Sequence, residues 1–341
     1  MNEVQARIQQ IYQFVDQTTT ELKQDLRVSY QDALSENILN ILGQTTFVED
    51  GFPNEEQAAH LNQQYQNFDL KSFTRHEIKK ALELSIIKAQ RLDKVDVNHL
   101  MTPDIIGTIC SLVIIEIFQA YPKPKLQVVD PAVGTGNFLF QIAQDLKQDM
   151  NLSLQLYGLD NDDQMLMLTD AFSQAIGIEI DLYHQDAVAD WLLQDFDLIL
   201  SDLPVGYYPL DENTTNFKTK SEKGHSYAHH LIIEQAMKYV QPGGLGVFVV
   251  PSQIFQTDQA KSLAEWMVKD VYLQAVLSLS NDLFASLEAA KSIVVLQRHG
   301  QNAKQSPQVL MGQIPSLDRS AEMAQFKRQL QIWSQNTFNW G

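Results

Sequence analysis

Two glycines and a set of carboxylates in this chain are spaced as a positively charged nucleotide cofactor would require. Asp130 closes the apolar run from Leu126 to Val129, and Pro131-Ala132-Val133-Gly134-Thr135-Gly136-Asn137-Phe138 follows it. Such a run suits a buried parallel strand, and Gly134 and Gly136 let backbone approach a ligand where a Cβ would obstruct it. A dinucleotide site wants G-x-G-x-x-G at a helix N-terminus, with no carboxylate aimed at the phosphates. Here Leu139 stands in the third glycine position and Asp130 supplies a carboxylate. The ammonium and sulfonium groups of S-adenosylmethionine meet that requirement better than NAD does. The plain alternative is a tight turn in some other α/β protein.

Further acids follow in order. Asp160-Asn161 ends the next apolar run, and a carboxylate at the carboxyl end of a neighbouring strand can accept both ribose hydroxyls. His184-Gln185-Asp186 ends the third and directs Asp186 towards an adenine amine. Taken singly, each acid reads as a helix cap or a turn residue. Three of them after three successive strands, with the glycines between the first pair, favour one shared ligand. After Phe196-Asp197-Leu198-Ile199-Leu200 comes Ser201-Asp202-Leu203-Pro204-Val205-Gly206-Tyr207-Tyr208-Pro209.

An α/β scaffold is needed to bring these residues together. Apolar and β-branched runs predict strands near 126–130, 154–160, 178–183, 196–201, 245–251, 271–278 and 292–298, mostly separated by helical stretches. That pattern predicts a Rossmann-like, seven-stranded, mostly parallel sheet covered on both faces, with the closely spaced last two strands placing an antiparallel strand at its edge. Residues 1–97 show helical periodicity, with Ile8, Ile11, Tyr12 and Phe14, then Leu34, Ile38, Leu39 and Ile41. Thr74 and Glu77 form a capping-box pattern opening a helix to about Leu92. Packing, or contact with a second copy or a partner subunit, is the expected use of this helical domain. Residues 98–341 form the second domain, in which Thr102 is placed to cap a helix beginning at Pro103.

A length of 341 residues suits two domains, and 44% hydrophobic with 20% charged residues is ordinary globular composition. The one cysteine, Cys110, excludes an internal disulfide and a Cys-rich zinc module. The polar start, and the lack of the roughly 18 apolar residues of a membrane span, predict a cytoplasmic protein with no membrane contact. A net charge of −17 disfavours a nucleic-acid substrate without excluding a local basic patch. Lys218, Lys220, Lys223 and His225 are one candidate for that patch; a solvated loop is the bland reading. His225, His229 and His230 invite a metal reading, but neither cysteine nor H-E-x-x-H supports it. They are expected to line a substrate mouth, with residues 207–230 as a lid and no metal.

The Asp130–Phe138 turn together with Asp202-Leu203-Pro204-Val205 resembles class I S-adenosylmethionine-dependent methyltransferases of the N6-adenine type. Within them it is most similar to the modification subunit of type I restriction systems and to small bacterial relatives without a target-recognition domain. The resemblance covers roughly residues 98–311 and the helical N-terminal region suits it. It implies that Thr102, Asp130, Ala132, Gly134, Gly136, Asn137, Phe138, Asp160, Asn161, Asp186 and Ala187 surround the cofactor. The family's fourth motif is Asn/Asp-Pro-Pro-Tyr/Phe, whose acid and a following carbonyl accept from the amine while the aromatic stacks on a flipped base. The amine then attacks the sulfonium methyl in line, a displacement governed by positioning and electrostatics. Asp202 and Pro204 match the first and third positions; Leu203 and Val205 depart from the pattern. Loss of the aromatic at 205 removes a platform worth roughly 1–3 kcal/mol, unless Tyr207 or Tyr208 replaces it. The implied activity is N-methylation of an exocyclic amino group of nucleic acid. A protein glutamine amide is the rival acceptor, and a cofactor-binding interaction protein without turnover is the other reading.

Overall fold

The computed structural model describes residues 2–300 and 302–338, which form two compact units. One takes in the chain up to Met101 together with Gly134–Phe140 and Asp162–Leu182; the other takes in Thr102–Val133, Gln141–Asn161 and the chain from Tyr183 onward.

The first unit begins with α1 (Glu3–Leu26), α2 (Tyr30–Gly43), α3 (Glu55–Gln66) and α4 (Arg75–Leu92). Each starts at a side chain that accepts a first-turn N–H: Asn2, Ser29, Asn54 and Thr74. These satisfy donors that a helix start otherwise leaves unpaired. The Thr74/Glu77 capping box forms as the sequence predicts. α1 packs on α2 and α4, burying Ile11, Val15 and Leu22 beside Leu34, Ile38 and Ile41 of α2 and Ile78, Leu82 and Ile86 of α4. Each such side chain contributes about 1.5–3 kcal/mol on burial. Asn37 fixes the arrangement, donating to the Thr18 and Thr19 hydroxyls at 2.9 Å each and accepting from the Tyr65 hydroxyl at 2.7 Å.

The α/β part runs α5 (Asp104–Ala120), β1 (Lys125–Asp130), α6 (Asn137–Met150), β2 (Ser153–Asp160), α7 (Asp163–Ile176), β3 (Asp181–His184), β4 (Phe196–Asp202), α8 (Ala228–Tyr239) and β5 (Val240–Pro251). It continues through α9 (Ala260–Asp270), β6 (Val271–Ser278), β7 (Lys291–Arg298), β8 (Leu310–Gln313) and α10 (Ser320–Phe338). One eight-stranded sheet has the order β3-β2-β1-β4-β5-β7-β6-β8. β2, β1, β4 and β5 are parallel, β7 runs antiparallel to both β5 and β6, and β8 is parallel to β6. α7 belongs to the first unit, where it packs on α2 and α4 and buries Met165, Leu168 and Phe172.

The expected α/β class and Rossmann-like sheet are present, with two corrections. The sheet has eight strands rather than seven, because β8 adds along β6; its largely exposed residues show no apolar alternation that would reveal it. The antiparallel strand lies inside the sheet rather than at its edge. β7 pairs with β5 on one side and β6 on the other, and is buried from Ser292 to Gln297 as an interior strand is. The strand order reverses at β1, which has β2 on one side and β4 on the other, so a ligand crevice opens at their carboxyl ends. No helix among the described residues is long and apolar enough to cross a membrane.

Candidate active site

Asp130, Asp160 and Asp202 are the last residues of β1, β2 and β4 and therefore share one edge of the sheet. Asp130 is 1% exposed. Its Oδ1 accepts from the Ser201 hydroxyl at 2.6 Å and from the Ala132 N–H at 3.0 Å. Burial pushes the Asp130 carboxyl up to about 7, against those two hydrogen bonds, and the charges of Asp160 and Asp202 push it the same way. A buried acid among like charges calls for a cation, which would return it to the ionised form. At the β2 end, the Asp160 carbonyl accepts from the Gln185 N–H at 2.8 Å, and the Asn161 carbonyl accepts from the His184 ring at 3.1 Å.

Asp186 follows β3. Its Oδ1 accepts from the Val188 N–H at 2.8 Å and its Oδ2 from the Tyr208 hydroxyl at 2.5 Å, while the buried Ala187 gives its carbonyl to the Trp191 ring at 3.0 Å. Tyr208 is only 6% exposed, and burial, then the bond to Asp186, pushes its hydroxyl up to about 12. It therefore ties the turn after β4 to the Asp186 loop. Tyr207, by contrast, is 58% exposed and stacks on Tyr227 with ring centroids 4.8 Å apart at 13°.

Asp202 has a charged partner that sequence reasoning missed. Lys291 is the first residue of the antiparallel β7, paired with Pro251 at the end of β5, and so reaches the same sheet edge. Its Nζ lies 2.5 Å from Asp202 Oδ1, and the Thr102 hydroxyl donates to Oδ2 at 2.9 Å. Thr102 thus differs from its expected role: Pro103 occupies the cap position of α5, no side chain caps it, and the threonine turns to Asp202 instead. Leu203 is buried and its N–H donates to the Val249 carbonyl at 3.1 Å, which lays the motif along β5; Val205 is exposed.

The Pro204 carbonyl favours the protonated His229 ring, but burial outweighs it. His229 and His230 are buried on the inner side of α8 rather than lining a mouth, since that helix buries His229 through Met237. Burial holds them low, at about 4 and about 3. His225 lies apart, 2.9 Å from Asp211. The segment expected to be a lid is anchored: Tyr207 and Tyr227 form a β-bridge, the Tyr208 N–H donates to the Ser226 carbonyl at 2.8 Å, and Glu234 accepts from the Lys218 and Thr219 N–H groups at 3.1 and 2.8 Å.

The glycine turn that continues the chain after Val133 falls in the helical unit. Gly134 and Gly136 have φ of +51° and +75°. A Cβ on Gly136 would lie 2.5 Å from the Phe140 ring and 2.9 Å from the Thr169 methyl, and the Thr169 hydroxyl donates to the Gly134 carbonyl. Asn137 and Phe138, which open α6, are buried. Ser201 was legible in principle, as a polar residue inside an apolar strand. Nothing near Lys291 or His229 in the sequence links either to Asp202 or Pro204.

Comparison with known proteins places the chain. It belongs to the N-6 DNA methylase family, whose family model matches residues 97–339. The family model of the YtxK N-terminal helical domain matches residues 9–90. The uncharacterized protein YtxK of Bacillus subtilis (strain 168) is 32% identical over 327 residues, covering 95% of this chain and 96% of that protein. A crystal structure from Listeria monocytogenes, assigned to the class I S-adenosylmethionine-dependent methyltransferases, superposes with a TM-score of 0.87 at 32% identity, covering 96% of this chain and 99% of that one. The type I restriction-modification methyltransferase subunit of Streptococcus thermophilus shares the fold, with a TM-score of 0.61 at 13% identity over 82% of this chain and 63% of that one.

Proposed function

We propose that this methyltransferase uses S-adenosylmethionine to methylate an exocyclic amino nitrogen of nucleic acid, of the adenine type. The observation that carries the reading is the motif turn at the end of β4, which brings Asp202 to the sheet edge shared by Asp130 and Asp160. S-adenosylmethionine would supply an electrophilic methyl on a sulfonium. The donor set fits it: Asp130, with its raised carboxyl, receives the positive methionine end, Asp160 the ribose hydroxyls, and Asp186 with Ala187 the adenine. Thr102, Ala132, Gly134, Gly136, Asn137, Phe138 and Asn161 complete the assignment. Residues 1–97 form a helical domain and 98–341 the methyltransferase domain.

Asp202 accepts an N–H of the acceptor and localises the lone pair that attacks the methyl. Lys291 and Thr102 hold its side chain at that edge before an acceptor arrives. Tyr207 is the ring able to replace the aromatic missing at 205, because it is exposed, whereas Tyr208 is buried on Asp186.

The net charge of −17 and the exposed Val205 favour a second acceptor, a protein glutamine amide, in which case no base must be stacked. The occupied Asp202 favours a third reading, a cofactor-binding interaction protein without turnover. The subunit role of the Streptococcus relative supports contact with a second copy or a partner subunit through the N-terminal helices. Radiolabelled methyl transfer to DNA, RNA and protein extract separates the acceptors. Incorporation into DNA or RNA that an Asp202→Ala variant lacks is the expected result; equal background from both proteins on every substrate overturns it.

A further inference from the structure

The family motif asks Asp202 to accept an N–H from a neutral amino group, yet both of its oxygens already have partners: Lys291 on Oδ1 at 2.5 Å and Thr102 on Oδ2 at 2.9 Å. These partners differ in strength. The threonine bond is neutral on one side and the lysine bond is charged on both, and charge-assisted hydrogen bonds are roughly twice as strong as neutral ones. The pair is also sheltered, with the lysine side chain 25% and the aspartate 11% exposed. A carboxylate oxygen can accept twice, as Asp130 Oδ1 does, but an amino group entering at Oδ1 shares it with an ammonium that holds much of its charge; taking the ammonium's place would strand a half-buried cation at the end of β7.

That loss is offset only when the acceptor itself carries a charge for the lysine. We infer that Lys291 selects the acceptor: as the amino group takes Asp202, the ammonium moves to an anionic oxygen group on the same substrate. This rests on the reading of Asp202 as the carboxylate that receives the amine. Lysine suits the exchange, because its compact charge rides on a flexible stem and binds phosphate without a fixed angle. A nucleotide offers an amino group and a phosphate together, whereas an isolated glutamine amide offers no anion. Lys291 thus separates the two leading acceptors, acting as a specificity-determining residue paired with Asp202.

A binding experiment tests this without turnover. S-adenosylmethionine is titrated calorimetrically into the full chain at constant ionic strength, with chloride, acetate or inorganic phosphate as the anion, so that screening is common to all arms. Phosphate drawn onto Lys291 frees Asp202 to attract the sulfonium, so the two ligands are positively coupled. Phosphate is expected to tighten the cofactor Kd several-fold in the native protein. Lys291→Gln should bind the cofactor several-fold tighter in chloride and show no phosphate response, while Lys291→Arg retains the response. If the glutamine variant does not unfold cooperatively, the native and arginine proteins decide the matter. A Kd indifferent to phosphate, or a glutamine variant that responds like the native chain, overturns the inference. Tightening by acetate alone makes the anion a carboxylate and overturns the phosphate assignment. Absence of cofactor binding in every arm removes the function proposed above and this inference together, and is recognised because no arm gives heat.

Discussion

Asp130 is the side chain whose environment says most about the ligand. Its carboxyl rises from the ordinary 3.8 to about 7 because water is excluded and two more acids face it. A group whose folded value lies above its unfolded one contributes stability that is fully present below about 4 and is lost as pH rises through about 7. Cofactor-free Asp130→Asn should therefore be more stable than the native chain at about pH 8, by a few kcal/mol on the order of the shift, and lose that advantage at about pH 4. Denaturant unfolding at the two pH values measures it; parallel pH profiles would contradict it. The same carboxylate ties cofactor affinity to pH. A cation must displace its proton below about 7, so Kd should weaken by up to about tenfold per pH unit there and level off above. Calorimetry across that range on the native and Asp130→Asn proteins checks the sign.

The acids were legible in the sequence because each ends an apolar run, and strand ends define a common edge without any knowledge of strand order. Thr102 was named from the sequence, but its bond to Asp202, and Lys291 altogether, were not legible. Asp202 lies 100 residues from Thr102 and 89 from Lys291, and the lysine reaches it only because β7 enters the sheet backwards. His229 and His230 were expected to line a substrate mouth, and their burial was not legible because α8 is buried all round from His229 to Met237.

At the scale of elements, the turn between β1 and α6 has a tight steric requirement. Gly136 combines φ of +75° with a Cβ position already filled by Phe140 and Thr169. Gly136→Ala should destabilise the chain by about 1–3 kcal/mol through backbone strain and overpacking. Equilibrium unfolding measures this, and a change within error would contradict it. Gly134, with open space around its Cβ, should lose less on the same substitution. Strand positions were legible within a few residues because β-branched runs bounded by turn residues recur. β6 was expected over 271–278 and spans Val271–Ser278. The edge strand β8 was not, since Leu310-Met311-Gly312-Gln313 pairs by backbone alone and leaves its side chains largely outside.

For the whole molecule, the helical unit contains more than the N-terminal helices, because α7, a crossover of the sheet, packs on α2 and α4. A chain begun at residue 98 would expose the apolar face of α7 at Met165, Leu168 and Phe172. It should therefore lack a cooperative unfolding transition and bind a hydrophobic dye. A truncated chain melting as sharply as the full one would contradict this. A charge of −17 also acts at this scale, disfavouring long-range attraction to a polyanion.

Single-turnover methyl transfer tests most directly whether Asp202 receives the acceptor amine. Native, Asp202→Asn and Asp202→Ala proteins are loaded with labelled S-adenosylmethionine, matched for bound cofactor, and mixed with an adenine-containing oligonucleotide, followed by nucleoside analysis. The expected result is N6-methyladenine from the native protein, transfer retained in part by asparagine, and a loss of about 10²-fold or more in the alanine variant. Native and alanine proteins giving the same yield, at equal cofactor occupancy, would contradict it.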